Sequence, residues 1–224
     1  MVKNAVLIDI CGTLFYSNTT FDFLDFYINQ KSYRRFRKLM QTSIWRYSNS
    51  LIYRLFNLDL SRTIALSYLK GFSHTELVNM ANSFYENYLS SRRICETWEL
   101  LEQKRPTNEL ILVSGTIDPI AETVAKKIGV QQYISSTLNY NNDICQGKLK
   151  YDALRNKAKC LANLNIQKPY TLVITDNPGD VSLIEHSQEA VIILYNNQQR
   201  WQRLIKKQRN IHYITPSHDY KFHR

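Results

Sequence analysis

An α/β fold built on a doubly wound parallel sheet, with a helical unit inserted near its start, is the class this sequence predicts. Three observations carry it. Short apolar runs recur at residues 5–8, 110–113, 170–175, 190–194 and 211–214, unbroken in the manner of strands buried on both faces. Helix-like patterns lie between them, at 118–129, 151–164 and 198–207. Asp9, Ser114 and Asp176 stand at the carboxyl ends of three runs, where open sheets of this kind bind their ligands.

The first run, 5–8, leads straight into Asp9 and reads as a strand rather than a signal peptide, because no small-residue cleavage site follows it. From residue 17 to residue 90 no strand-like run occurs. Tyr33, Phe36, Met40, Ile44, Tyr47, Leu51 and Leu55 are spaced three or four apart and predict one continuous buried seam. Ser73-His74-Thr75-Glu76 has the pattern of a capping box, opening a helix that buries Leu77, Met80, Ala81, Phe84 and Tyr88. Beyond the second run, Asp118-Pro119 starts a helix that Gly129 closes. Residues 137–149, with Asn141-Asn142-Asp143 at the centre, predict a small β-hairpin, and the chain from Ser217 onward is expected to fray.

With 224 residues the chain can bury a full core without staples, and its four cysteines (Cys11, Cys95, Cys145 and Cys160) form no CxxC pair. Reduced thiols in a cytoplasmic protein are the expectation. No stretch reaches the about 18 consecutive apolar residues that a spanning helix needs. A net charge of +10 favours anionic partners without naming one.

Asp9 alone at a strand end fits a nucleophile, a metal ligand or a helix cap. The stretch LVSGT, 112–116, adds a hydroxyl and a Gly-Thr turn before a helix, where backbone N–H groups can hold a phosphate. TDNPGD, 175–180, places Asp176 and Asp180 four apart in a tight turn. Facing Asp9, these carboxylates make an oxygen-rich site suited to Mg²⁺.

Strand-end Asp in DICGT, then Ser114, then a lysine-bearing helix, then Asp176 and Asp180 together resemble the haloacid dehalogenase superfamily, and SGTIDPIAETVAKKIGV looks most like its phosphoserine phosphatase branch. The resemblance covers nearly the whole chain. It implies a Rossmann-like core at residues 1–16 and 91–224 with a helical cap at 17–90. It further implies that Asp9 attacks phosphorus to form an aspartyl phosphate, that Mg²⁺ is held by Asp9, Asp176 and the Cys11 carbonyl with support from Asp180, and that Lys157, Ser114 and the backbone around Gly12, Thr13, Gly115 and Thr116 hold the phosphate. Lys148 and Lys150 compete with Lys157 for the lysine of the third motif. Asn18 and Thr19 are candidates to touch the organic half of a phosphorylated small-molecule substrate, although a capping role for them is the preferred expectation.

The family motif is DxDGT, and Cys11 stands where its second aspartate is expected. That aspartate works as general acid and base, help typically worth about 10²–10⁴-fold. Three outcomes follow: the thiol serves as a weak acid, the enzyme prefers substrates with good leaving groups, or the chain binds a phosphate ligand with little turnover. Arg34, Arg35, Arg37, Lys38, Arg46, Arg54 and Arg62, with Trp45, Tyr47, Tyr53 and Phe56 among them, predict a solvated basic face, with peripheral contact to anionic membrane, and hence a lipid phosphate, as the main rival. No nucleic-acid-reading module accompanies the charge.

Overall fold

The computed structural model describes residues 4–56, 58–154, 156–195, 198–205 and 210–217. Seven strands among them form one sheet: β1 Ala5–Ile8, β2 Glu109–Ile117, β3 Gln132–Asn141, β4 Ile144–Tyr151, β5 Tyr170–Thr175, β6 Ser187–Ile193 and β7 Ile211–Ile214, in the order β4-β3-β2-β1-β5-β6-β7. β1 lies between β2 and β5 and runs parallel to both, and only the β3–β4 pair is antiparallel. Alternate residues of β1 feed opposite cores: Val6 and Ile8 join Leu112 and Ile174 on one side, and Leu7 joins Ile111, Val113 and Val173 on the other. That two-faced burial is why these strands read as unbroken apolar runs. The expected doubly wound α/β class is the fold observed.

Beyond a turning first loop at 9–18, the described segment between β1 and the sixth helix carries helices and no strand. It comprises α1 Thr19–Tyr27, α2 Lys31–Met40, α3 Ser43–Phe56, α4 Leu60–Ser67 and α5 His74–Phe84, followed by short π and 3₁₀ turns to Arg92. The capping box at Ser73 forms as expected: its hydroxyl accepts the Glu76 N–H at 3.1 Å, and the Glu76 carboxylate accepts the Ser73 N–H at 2.7 Å. Leu77, Ala81 and Phe84 are buried beneath it, with Met80 and Tyr88 partly so.

The single apolar seam is not what forms. Tyr33 and Phe36 are buried, but Ile44, Tyr47, Leu51 and Leu55 are exposed, Ile44 by 82%. The helix breaks at residues 41–42, between α2 and α3, which resets the helical phase. α3 instead turns Trp45 and Asn49 inward: the Trp45 indole N–H donates to Ser61 Oγ at 2.7 Å, and the Asn49 side chain accepts the Ser61 N–H and donates to Asp59. Arg62, expected on the solvated basic face, is buried, and Arg37 pairs with Asp25 at 2.6 Å.

The remaining helices are α6 Cys95–Lys104, α7 Asp118–Ile128, α8 Lys157–Asn163, α9 Val181–Ile184 and α10 Gln198–Leu204. α7 follows the expected boundaries, with Pro119 in its first turn and Gly129 at φ +67 closing it. Helix 151–164 is shorter than expected. Tyr151 belongs to β4, and the Asp152 side chain accepts the Leu154 N–H at 2.9 Å, holding a turn that delays helix onset to Lys157. The hairpin turns through Asn142 and Asp143, both at positive φ, but it is an extension of the main sheet because β3 also pairs with β2. The expected helix end at Lys206 and Lys207 lies outside the described residues. No helix among the described residues is long and apolar enough to cross a membrane, and all four cysteines are free.

Candidate active site

Asp9 directly follows β1 and Asp176 directly follows β5, so adjacent parallel strands deliver both carboxylates to one end of the sheet. Asp9 is anchored by its own backbone: its N–H donates to Ile174 O at 3.0 Å, and its Oδ1 accepts the Ile10 N–H at 2.7 Å. Gly12 then turns the chain at φ +65, packed so closely on Asp176 that a Cβ there would collide with the carboxylate. Thr13 ties the two loops together, its hydroxyl accepting the Asp176 N–H at 3.0 Å and lying 3.3 Å from Asp176 Oδ1. The Tyr195 hydroxyl donates to Gly12 O at 3.0 Å from the end of β6.

Lys157, the first residue of α8, reaches into the same place. Its Nζ lies 3.0 Å from Asp9 Oδ2 and 2.7 Å from Asp180 Oδ2, with all three residues buried. Burial alone would lower the ammonium pKa, but the Asp180 and Asp9 carboxylates outweigh it and hold the pKa above its ordinary value. Burial pushes the Asp180 carboxyl upward, opposed by Lys157. Thr175 adds a hydrogen bond to Asp180 Oδ2 at 2.7 Å, whereas Asp180 Oδ1 is buried without a hydrogen-bond partner. Lys148 and Lys150 are exposed on β4.

Ser114, Gly115 and Thr116 were expected just after a strand but lie inside β2, which runs on to Ile117 across a register shift against β3 between Val113 and Ile117. The Ser114 hydroxyl lies near Cys11 of the first loop, and the Thr116 hydroxyl meets Thr19 and Thr20 at the start of α1. Cys11 Sγ is 2.9 Å from Thr19 Oγ1 and 3.9 Å from Ser114 Oγ. Thr19 donates its one hydroxyl proton to Thr116 at 2.7 Å, so the thiol is the donor to Thr19. Burial, followed by the neighbouring Asp9 charge, pushes the Cys11 thiol up to about 11. Asn18 occupies the N-cap position of α1, yet its side chain makes no capping bond, contrary to the preferred expectation, and it lines the cleft instead.

That cleft, about 510 Å³, lies between the strand ends and the helices α3 and α4, with Asp9, Cys11, Asn18, Ser114, Gly115, Thr116 and Asp176 on its floor and Trp45, Arg46, Asn49 and Tyr53 on its wall. Sequence reasoning missed Arg62 as part of the site. Its Nη1 pairs with Asp152 at 2.8 Å and its Nη2 donates to the Gly115 carbonyl, which binds α4 to the floor. No local pattern marks it, since its partners lie far along the chain. Tyr195 was similarly unmarked, whereas Thr19, singled out beside Asn18, bonds Cys11 and Thr116 with its hydroxyl; Thr175 and Thr116 sat inside the stretches singled out.

The donor chemistry accommodates a divalent cation. Three buried carboxylates face one ammonium, an excess of negative charge that a dry site does not hold unbalanced, and Asp180 Oδ1 lacks a partner. Among the described residues no three His, Cys, Asp or Glu side chains converge closely enough to hold an ion unaided. The arrangement therefore suits an ion such as Mg²⁺, which keeps several waters and takes only one or two carboxylates together with substrate phosphate.

A protein-family model described as haloacid dehalogenase-like hydrolase matches residues 6–185. No curated protein sequence matches the chain. Among solved structures, a protein of unknown function from Bordetella pertussis Tohama I superposes with a TM-score of 0.73 at 15% identity, covering 95% of this chain and 99% of that one. A phosphoserine phosphatase from T. onnurineus gives 0.57 at 16% identity over 96% and 90% of the two chains. A phosphoserine phosphatase held as a phospho-aspartyl intermediate analogue gives 0.56 at 14% over 95% and 94%. At such identities these likenesses concern the fold.

Proposed function

The chain belongs to the haloacid dehalogenase-like hydrolases, and from that premise we propose that it is a Mg²⁺-dependent phosphatase that hydrolyses a small phosphomonoester through Asp9. The observation that carries this reading is the Lys157 ammonium bridging Asp9 and Asp180 beside Asp176 at the end of the sheet. Asp9, Asp176 and the Cys11 carbonyl would hold the ion, with Asp180 in support, and the ion would neutralise phosphate charge. An Asp9 carboxylate oxygen attacks phosphorus, the ester oxygen leaves with its bonding electrons and takes up a proton, and water then attacks the aspartyl phosphate to release inorganic phosphate and restore Asp9. Lys157, Ser114 and the backbone around Gly12 and Gly115, flanked by Thr13 and Thr116, would hold the phosphate oxygens. Residues 17–90 would act as a cap over this floor, and Asn18 would meet the organic half of the substrate.

Cys11 limits the chemistry. Its position matches the second aspartate of the family motif, but its thiol, pushed up to about 11 and donating to Thr19, is a poor proton donor to a leaving group. Substrates whose leaving oxygen needs little protonation are therefore favoured. The same observation supports a second reading, a phosphate-ligand-binding protein with little turnover. Phosphate release from a panel of esters and anhydrides, with and without Mg²⁺, separates the two. Release by the wild type that requires Mg²⁺ and disappears in Asp9→Asn supports the phosphatase, whereas binding of a phosphate ligand without release by wild type or Cys11→Asp supports the second reading.

A further inference from the structure

α3 has two unlike faces. One, carrying Trp45, Asn49 and Tyr53, forms the cleft wall, and the opposite one carries Ile44, Tyr47, Leu51 and Leu55 at helical spacing, exposed by 82%, 74%, 45% and 67%. Apolar side chains of this size, clustered and turned to water on one ridge, mark an interaction surface rather than a solvated face.

Charge identifies the occupant. From residue 31 to residue 56 the sequence contains Lys31, Arg34, Arg35, Arg37, Lys38, Arg46 and Arg54 and no aspartate or glutamate. Arg37 is engaged with Asp25, while Lys31, Arg34, Arg35, Lys38, Arg46 and Arg54 are exposed. A second copy docking on this face would set one uncompensated cationic stretch against another. An anionic bilayer instead offers phosphate charge at the level of the arginines and acyl chains at the depth of the isoleucine and leucines, which is the arrangement of an interfacial amphipathic helix.

We propose that the outer face of α3, with α2 beside it, docks peripherally on anionic phospholipid membrane. The inference goes beyond the phosphatase reading and holds whether or not the site turns over, since docking is read without any substrate.

The test is flotation of the full chain with vesicles of phosphatidylcholine alone or mixed with phosphatidylglycerol, at low and high salt. Binding to the phosphatidylglycerol vesicles that weakens with salt and is much lower on phosphatidylcholine is expected. The triple variant Ile44→Ser/Leu51→Ser/Leu55→Ser should lose at least about tenfold in partitioning. Arg35→Glu/Arg54→Glu should lose binding as well, with an unchanged circular dichroism spectrum in each case. None of these residues lines the cleft, so phosphate-ester turnover or ligand binding in solution should persist. Absence of wild-type binding to phosphatidylglycerol vesicles at low salt overturns the proposal, as does binding that both variants leave intact. Light scattering that finds a dimer dissolved by the serine variant would assign the face to a second copy instead.

Discussion

Lys157 and Asp180 meet at 2.7 Å with both side chains almost wholly withdrawn from water, and Asp9 takes the same ammonium at 3.0 Å. Removing the ammonium strands two carboxylates in a dry site. Lys157→Met should therefore cost about 3–5 kcal/mol, measured by urea titration. The double variant Lys157→Met/Asp180→Asn should recover part of that loss, and strict additivity of the two single changes would show that the pair is not coupled.

Cys11→Asp places a carboxyl where the thiol now donates to Thr19. If the proposed phosphatase lacks only its proton donor, turnover of alkyl phosphates should rise by about 10²–10⁴-fold, with a much smaller gain for acyl phosphates, whose leaving group needs little protonation. Steady-state rates on the two substrate classes provide the check, and an equal effect on both would remove protonation as the limiting role.

Burial and the Asp9 charge favour the protonated Cys11 thiol, pushing it from 9.0 to about 11. The folded state therefore holds this proton more tightly than the unfolded state, so any stability dependence is absent below pH 9 and appears as a loss between pH 9 and 11. Alkylation resolved by peptide mass spectrometry should label exposed Cys95 well before Cys11 at pH 8. Labelling of Cys11 as fast as Cys95 at that pH would contradict the assignment.

Gly12→Ala adds a methyl group where the Asp176 carboxylate already sits, at a left-handed φ that alanine resists. The strain itself is about 1–2 kcal/mol, and displacement of Asp176 should raise the Mg²⁺ concentration needed for half-maximal activity more than it lowers thermal stability. A Mg²⁺ titration of both proteins, beside their melting curves, tests this.

Arg62 is buried, and its two contacts, Asp152 and the Gly115 carbonyl, join α4 to the sheet. Arg62→Leu leaves the carbonyl without this donor and should cost about 1–3 kcal/mol. Hydrogen exchange should show the loss concentrated in α4, and a uniform change across the chain would argue against a local tie.

The sheet was readable because strands covered on both faces must be apolar along their whole length, as 5–8 and 110–113 are. What escaped reading depended on partners distant in sequence. The polar stretch at 114–116 gives no sign of belonging to a strand until β3 pairs beyond it, and Asp152, held by Ser136 and Arg62, keeps the expected helix from starting before Lys157. Periodicity across residues 33–55 was real, but it described two helices out of phase, and only their packing revealed that half of the seam faces outward. Carboxylates at strand ends, by contrast, were visible from local pattern alone.

The tie between Thr13 and Asp176 spans 163 residues of chain. During vectorial synthesis the first loop leaves the ribosome long before β5 exists to pair with β1, and the intervening helices fill the wait. Asp9 thus spends the early life of the polypeptide without its partners, and the floor of the cleft can close only when the fifth strand arrives.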